Sequence, residues 1–185
     1  MIFPERKHEG ITEYLLYLWH VEDLIRTLNF EFKEIKGRII DTMPAEAAVK
    51  ESSTVWFKKV MDEMKKNKLQ EKGHIEEAEE ILAELFYLHN LLLNVLQDKT
   101  YIKAFEQASP NIKSLQSRST NTSVNPVEIC LTGIYGVLHL KMQSKGISKE
   151  TEEAVKSFTD LLNMLSEKYR DMKSGKLDFS QVQKN

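Results

Sequence analysis

The residues with the clearest capacity for chemistry lie close together near the start of the chain. Trp19, Glu22, Asp23 and Arg26 stand in the otherwise largely apolar segment Glu13–Arg26. On a helix, both acids lie within about one turn of Arg26, so either carboxylate can pair with the guanidinium. Such a group forms an internal ion pair or binds a charged ligand, with the indole stacked over Arg26 or over that ligand. We favour the ion pair and keep the ligand site as the alternative.

Two residues of a later predicted helix extend that alternative. Tyr135 and His139 are four residues apart, so they share one helix face. The alternative is therefore a small-molecule-binding protein or an enzyme with a polar pocket, whose candidate residues are Trp19, Glu22, Asp23, Arg26, Tyr135 and His139. No catalytic residue is predicted, since the chain has no Gly-x-Ser-x-Gly elbow, no phosphate-binding glycine loop and no base beside Cys130.

Histidine spacing gives little support for a metal site. Glu5–His8 and Glu71–His74 match the Glu-x-x-His spacing of di-iron bundles, but that chemistry needs the pair in the middle of a core helix. The first string lies in a charged N-terminus. The second straddles Gly73, so we place His74 at the start of the following helix.

Three further histidines, His20, His89 and His139, lie within apolar predicted helices. They would hold a metal ion if they met in the core. We favour the interpretation that each makes one hydrogen bond at the edge of the core, and we predict neither a metal nor a cofactor.

Composition limits the class of protein that carries these residues. The 185 residues are enough for one domain with a sizeable core, and 41% hydrophobic with 29% charged residues is ordinary for a globular protein. A net charge of -2 gives no general attraction to nucleic acid or anionic lipid. A single cysteine, no signal peptide and no apolar run of the ~18 residues that a membrane helix needs indicate a cytoplasmic protein.

Hydrophobic periodicity predicts an all-α protein, a single-domain bundle of six or seven helices over residues 1–185. The first helix begins near Gly10 to Thr12, ends by about Phe32 and is apolar on two sides, which predicts that it is covered on both. The clearest helical pattern is Ile75–Leu96. We also expect a mobile loop at about 117–126 and a frayed tail at about 176–185.

Breakers and caps predict where the later helices bend or end. Pro110 should kink or divide the helix that follows Tyr101. The next helix should run from residue 127 to about Ser144, with Gly146 as its stop signal. Gly133 and Gly136 lie inside that helix at a cost of about 1 kcal/mol each, which predicts close backbone approach by another helix, the commoner reason, or by a ligand.

The segment Ile11–Arg26 resembles the opening helix of an uncharacterised bacterial family, a domain of unknown function. Glu71–His74 and Ile134–Leu138 are similar to later landmarks of that family, and the resemblance covers nearly the whole chain. In that family glutamine usually takes the place of His20, which argues against a metal role for His20. The resemblance implies one helical domain of unknown function and transfers no activity, cofactor, partner or catalytic residue.

Helices that are apolar on two sides, together with the lack of a catalytic constellation, favour one class of function. We predict a cytoplasmic helical interaction or regulatory protein without catalytic activity. Its expected partners are a second copy of itself or an unknown protein, and not nucleic acid or a membrane.

Overall fold

The fold is helical throughout the part of the chain that the computed structural model describes, residues 10–118 and 124–177. Those residues form seven α-helices and no β-strand, so the prediction of an all-α protein with six or seven helices is confirmed. The helices are α1 (Ile11–Thr27), α2 (Phe32–Ile35), α3 (Ala47–Lys66), α4 (Glu76–Asn90), α5 (Lys99–Arg118), α6 (Pro126–Met142) and α7 (Lys149–Lys173). None of these described helices is long and apolar enough to cross a membrane.

The described residues group into two compact units. Unit 1 comprises residues 13–81, and unit 2 comprises residues 10–12, 82–118 and 124–177. Helix α1 therefore begins in unit 2 and continues in unit 1, and α4 passes from unit 1 into unit 2. The candidate residues are divided between the two units.

Helix α1 is covered on both sides, as its two apolar arcs predict. Leu18 on one arc is 1% exposed, while Leu15 and Trp19 on the other are 0% and 5% exposed. Within unit 1 the ring of Tyr17 stacks on that of Trp56 in α3, with ring centroids 5.9 Å apart. Burial of such side chains contributes roughly 1.5–3 kcal/mol each, so packing rather than helix propensity holds α1 in place.

The end of α1 depends on a left-handed turn without glycine. The helix ends at Thr27, earlier than the predicted limit of Phe32. Asn29 and Phe30 have φ values of 51° and 58°, and the N–H of Phe30 donates to the carbonyl of Ile25 at 3.0 Å. This is a Schellman motif, in which a residue with positive φ closes the last turn of the helix.

The same motif ends three other helices. After α3 and α6 the left-handed residues are Lys68 and Ser144, with φ values of 58° and 55°. The prediction that Gly146 stops α6 is therefore wrong, because Ser144 already takes that conformation. After α7 the left-handed residue is Gly175, at φ 70°, as its position in the sequence predicts.

Helix α5 continues through Pro110, so this proline does not divide the helix, which was one of its two predicted effects. Proline removes one backbone N–H, but side chains on both sides of it hold α5 in the core of unit 2. Tyr101 and Ala108 are fully buried, and Ile112 is 5% exposed.

Two π-helical turns extend the regular helices. Leu91–Val95 follows α4, so the predicted helical segment Ile75–Leu96 is confirmed over nearly its whole length. Lys36–Ile40 follows α2, in the region where a short second helix is predicted.

The segment between α5 and α6 is shorter than the loop predicted at 117–126, because both helices extend into that range. Helix α5 extends to Arg118, and α6 begins at Pro126. The side chain of Asn125 caps α6 by accepting the N–H of Val127 at 3.0 Å. Residues 119–123 of the loop and residues 178–185 of the predicted tail lie outside the described residues.

Helices α5, α6 and α7 pack on one another in unit 2, around a core that contains polar but uncharged groups. His89 is 2% exposed, and its Nδ1 lies 2.7 Å from the hydroxyl of Tyr101. Burial lowers the pKa of His89 to about 4. Cys130 is also buried, and burial raises the pKa of its thiol to about 12.

We expect the stability of the protein to fall between pH 6.5 and pH 4 because of His89. An unfolded chain binds a proton at His89 near pH 6.5, whereas the folded chain resists protonation until about pH 4. The full stabilisation is therefore present above pH 6.5, and about 3 kcal/mol of it is lost by pH 4.

The measurement is urea unfolding across this pH range for the wild type and for His89→Leu. Other acidic groups titrate in both proteins, so the difference between the two curves isolates His89. A difference that does not change with pH would contradict the expectation.

One of the two glycines inside α6 is explained by close packing. A Cβ atom at Gly133 would lie 2.7 Å from Cε2 of Phe158, closer than Cβ atoms come to other atoms in folded proteins, and 3.0 Å from Cδ2 of Leu115, tighter than most such contacts. The predicted approach of another helix is confirmed there. A Cβ atom at Gly136 would meet nothing within 4 Å, so for Gly136 the prediction is wrong.

Alanine substitutions at the two glycines should therefore have opposite effects. Gly133→Ala forces Phe158 and Leu115 apart, and we expect a loss of about 1–3 kcal/mol in the free energy of unfolding. Gly136→Ala is the matched control and should gain up to about 1 kcal/mol through helix propensity. Equal effects in chemical denaturation of the two variants would contradict this packing.

Candidate functional site

The four candidate residues of α1 come together in unit 1 around a buried carboxylate. Glu22 is fully buried, at 0% exposure. Its Oε1 accepts the backbone N–H of Ile75 at 2.9 Å, and its Oε2 lies 2.6 Å from Nδ1 of His74. The same Oε2 is 4.0 Å from Nη1 of Arg26. Removing a carboxylate from water costs several kcal/mol, so these partners are what make its burial tolerable.

Arg26 ties the segment between α3 and α4 to α1. Its Nη1 donates to Oδ1 of Asp23 at 2.9 Å, which confirms the predicted pairing of these residues on one helix face. Its Nε donates to the carbonyl of Leu69 at 3.1 Å, and its Nη2 donates to the carbonyl of Gly73. The planar guanidinium thus serves two main-chain carbonyls and an acid at the same time.

Trp19 stacks on His74 and not on Arg26. The two ring centroids are 4.7 Å apart, and the ring planes are inclined by 15°. One face of the indole is therefore occupied by the imidazole. With Trp19 5% exposed, this part of the cluster belongs to the core.

His74 is the member of the cluster that the sequence analysis missed. It was considered as a metal ligand in the string Glu71–His74 and otherwise only placed at the start of the next helix, where it does lie, just before α4. A buried acid needs a donor from outside its own helix, and this requirement was the available signal. The residue that meets this requirement, His74, lies 52 residues further along the chain, so helical spacing does not identify it.

Tyr135 and His139 lie in unit 2 and form a separate pair on α6. Their ring centroids are 4.6 Å apart, with the planes inclined by 74°, as expected for side chains four residues apart on one helix. The six predicted site residues therefore fall into two groups, four in unit 1 and two in unit 2.

The second pair is accompanied by exposed apolar side chains. Leu138, Leu140 and Met142 are 44%, 37% and 61% exposed, all within the last turn and a half of α6. We call these three residues the apolar end of α6. Leu138 and Met142 share one face of α6, and large apolar side chains exposed next to one another, rather than singly, are typical of contact surfaces.

The described residues do not form a metal centre by the usual criterion, because no three acidic, histidine or cysteine side chains among them are grouped closely enough. At the α1 cluster, Oε2 of Glu22 and Nδ1 of His74 form a hydrogen bond with each other.

Comparison with known families places the whole chain in one of them. The family model for a domain of unknown function, DUF4924, matches residues 1–176, and the chain belongs to this family. The match spans both units, in keeping with the predicted single domain, and it assigns no activity. Neither the curated proteins nor the solved structures give a match.

Replacing Arg26 by alanine should destabilise the fold. The change removes the donors to the carbonyls of Leu69 and Gly73 and takes a positive charge away from buried Glu22. Since hydrogen bonds to charged groups contribute about 1.5–3 kcal/mol, we expect a loss of roughly 2–3 kcal/mol in urea unfolding.

Arg38→Ala is the matched control, because the side chain of Arg38 is 70% exposed and pairs with Glu34 one turn earlier. Its effect should stay within about 0.5 kcal/mol. Should Arg26→Ala prove as stable as the control, the cluster would not be the internal tie described above.

Proposed function

We propose that this chain is a cytoplasmic interaction protein that self-associates through the apolar end of α6. The observation that carries the proposal is the exposure of Leu138 and Met142, which lie about one turn apart on one face of α6, with Leu140 exposed on the other side of the same helix. Covering such side chains contributes roughly 25 cal/mol per Å² of apolar surface, and contact with another protein surface provides that cover.

The residues beside the apolar end suit a protein interface. Tyr135 contributes an aromatic ring, and Met142 contributes a flexible thioether that adapts to irregular surfaces. Tyrosine and methionine are enriched in the centres of interfaces, and charged residues are depleted there. Lys141 is the charged residue between Leu138 and Met142, and its long side chain can lie along the rim.

The α1 cluster supports an interaction function over a charged-ligand pocket. Both oxygens of Glu22 are engaged within the protein, and the guanidinium of Arg26 serves Asp23 and two main-chain carbonyls. A charged ligand would have to displace these contacts.

A protein partner also fits the charge of the chain better than nucleic acid does. The chain has 26 basic and 28 acidic residues, so it lacks the positive surplus that phosphate backbones attract. Retention of the protein on heparin at low salt would count against this part of the proposal.

Charged substitutions at the apolar end should abolish self-association. We expect the wild type to sediment above its monomer mass of 21.5 kDa at high concentration, and the double variant Leu138→Glu, Met142→Glu to sediment as a monomer. The physical reason is that a carboxylate would have to be desolvated in the contact.

Val55→Glu is the control, because Val55 is also an exposed apolar residue, 67% exposed, but lies in unit 1 on α3. It should associate as the wild type does. A wild type that is monomeric at every concentration would refute self-association, and equal loss in the Val55 variant would refute the assignment to α6.

A further inference from the structure

We propose that His74 is a nucleophilic imidazole, positioned by Glu22, that takes up activated acyl groups at Nε2. The inference is independent of the interaction function at α6. It would replace the expectation, drawn from sequence, that the chain holds no catalytic residue.

The contact with Glu22 selects the tautomer of the ring. The 2.6 Å distance between Nδ1 and a carboxylate oxygen requires a proton between them, and in the neutral imidazole that proton sits on Nδ1. The lone pair is then on Nε2, which is the nitrogen that accepts a proton or attacks a carbonyl carbon.

The position of the ring is held by more than one contact. Trp19 stacks on one face of it, and Glu22 is itself held by the backbone N–H of Ile75. A ring that is already oriented loses little conformational freedom on reaction, which is how positioning lowers a barrier.

Burial divides the pair into a sealed acid and an accessible base. The side chain of Glu22 is 0% exposed, whereas that of His74 is 29% exposed. Among the described residues, the hydrogen bond of the His74 ring is the one from Nδ1. This is the arrangement of acid–histidine pairs in which the carboxylate orients the ring and the far nitrogen does the chemistry.

The same contacts limit the class of substrate. Arg26 donates to Asp23, Leu69 and Gly73, so it is largely unavailable for stabilising an oxyanion. Acyl groups with good leaving groups, such as aryl esters, need the least stabilisation of this kind.

The reaction is a two-step acyl transfer to water. Nε2 attacks the carbonyl carbon, the carbon–oxygen bond to the aryl group breaks, and the aryl oxide leaves with the electron pair. Water then attacks the acyl-imidazole and releases the carboxylic acid, which returns His74 with its proton on Nδ1. The net change is ester plus water to acid plus phenol.

The test uses p-nitrophenyl acetate as the probe and follows the release of p-nitrophenol by the full chain. We expect His74→Gln to lose most of the esterase rate and His20→Gln, another histidine of unit 1, to keep it. Glu22→Gln should lower the rate at least about tenfold, as for general-base pairs without their orienting acid. An unchanged rate in His74→Gln would overturn the proposal.

Because Glu22→Gln can fail to fold, a second measurement uses the wild type alone. The ¹⁵N spectrum of the neutral His74 imidazole, recorded at alkaline pH, should show a protonated Nδ1 and an unprotonated Nε2. A neutral ring that carries its proton on Nε2 would overturn the proposal whatever the variants do. A purely structural tie between these residues predicts the tautomer but no loss of rate in His74→Gln, so the two measurements together separate the two roles.

Discussion

The burial of the Glu22 carboxylate is the constraint on which the rest of unit 1 depends. A charge with no exposure to water must find donors inside the protein, and the ones it has come from the segment that leads into α4. That segment must therefore lie against α1. Arg26 holds it there by donating hydrogen bonds to the carbonyls of Leu69 and Gly73. The contacts that satisfy Glu22 also orient the ring of His74.

The buried polar groups of unit 2 differ from those of unit 1. Its polar core groups, His89 and Tyr101, are neutral and bonded to each other, so their burial needs no counter-charge. Close packing at Gly133 brings α6 against neighbouring side chains of α5 and α7, while the apolar end of the same helix stays exposed. One helix thus packs into the core at its middle and keeps apolar side chains exposed at its end.

Several features could be predicted from the sequence because they arise within one helix. The two-sided cover of α1 and the pairing of Asp23 with Arg26 both follow from spacings of a few residues. The helix ends were harder, since Asn29, Lys68 and Ser144 adopt left-handed conformations that sequence rules assign chiefly to glycine. At Pro110 the packing of both flanking turns outweighed the local cost of a missing donor.

The sequence by itself determined that the chain is all-α, that α1 is buried on both sides and that its acids face Arg26. These properties depend on helical periodicity, which is local. Only the tertiary structure decided that Trp19 stacks on His74, that Glu22 bonds to His74 and Ile75, and that Tyr135 with His139 belongs to a separate unit. The physical reason is that a buried charge requires a partner without specifying which one, and the path of the chain in space supplies it.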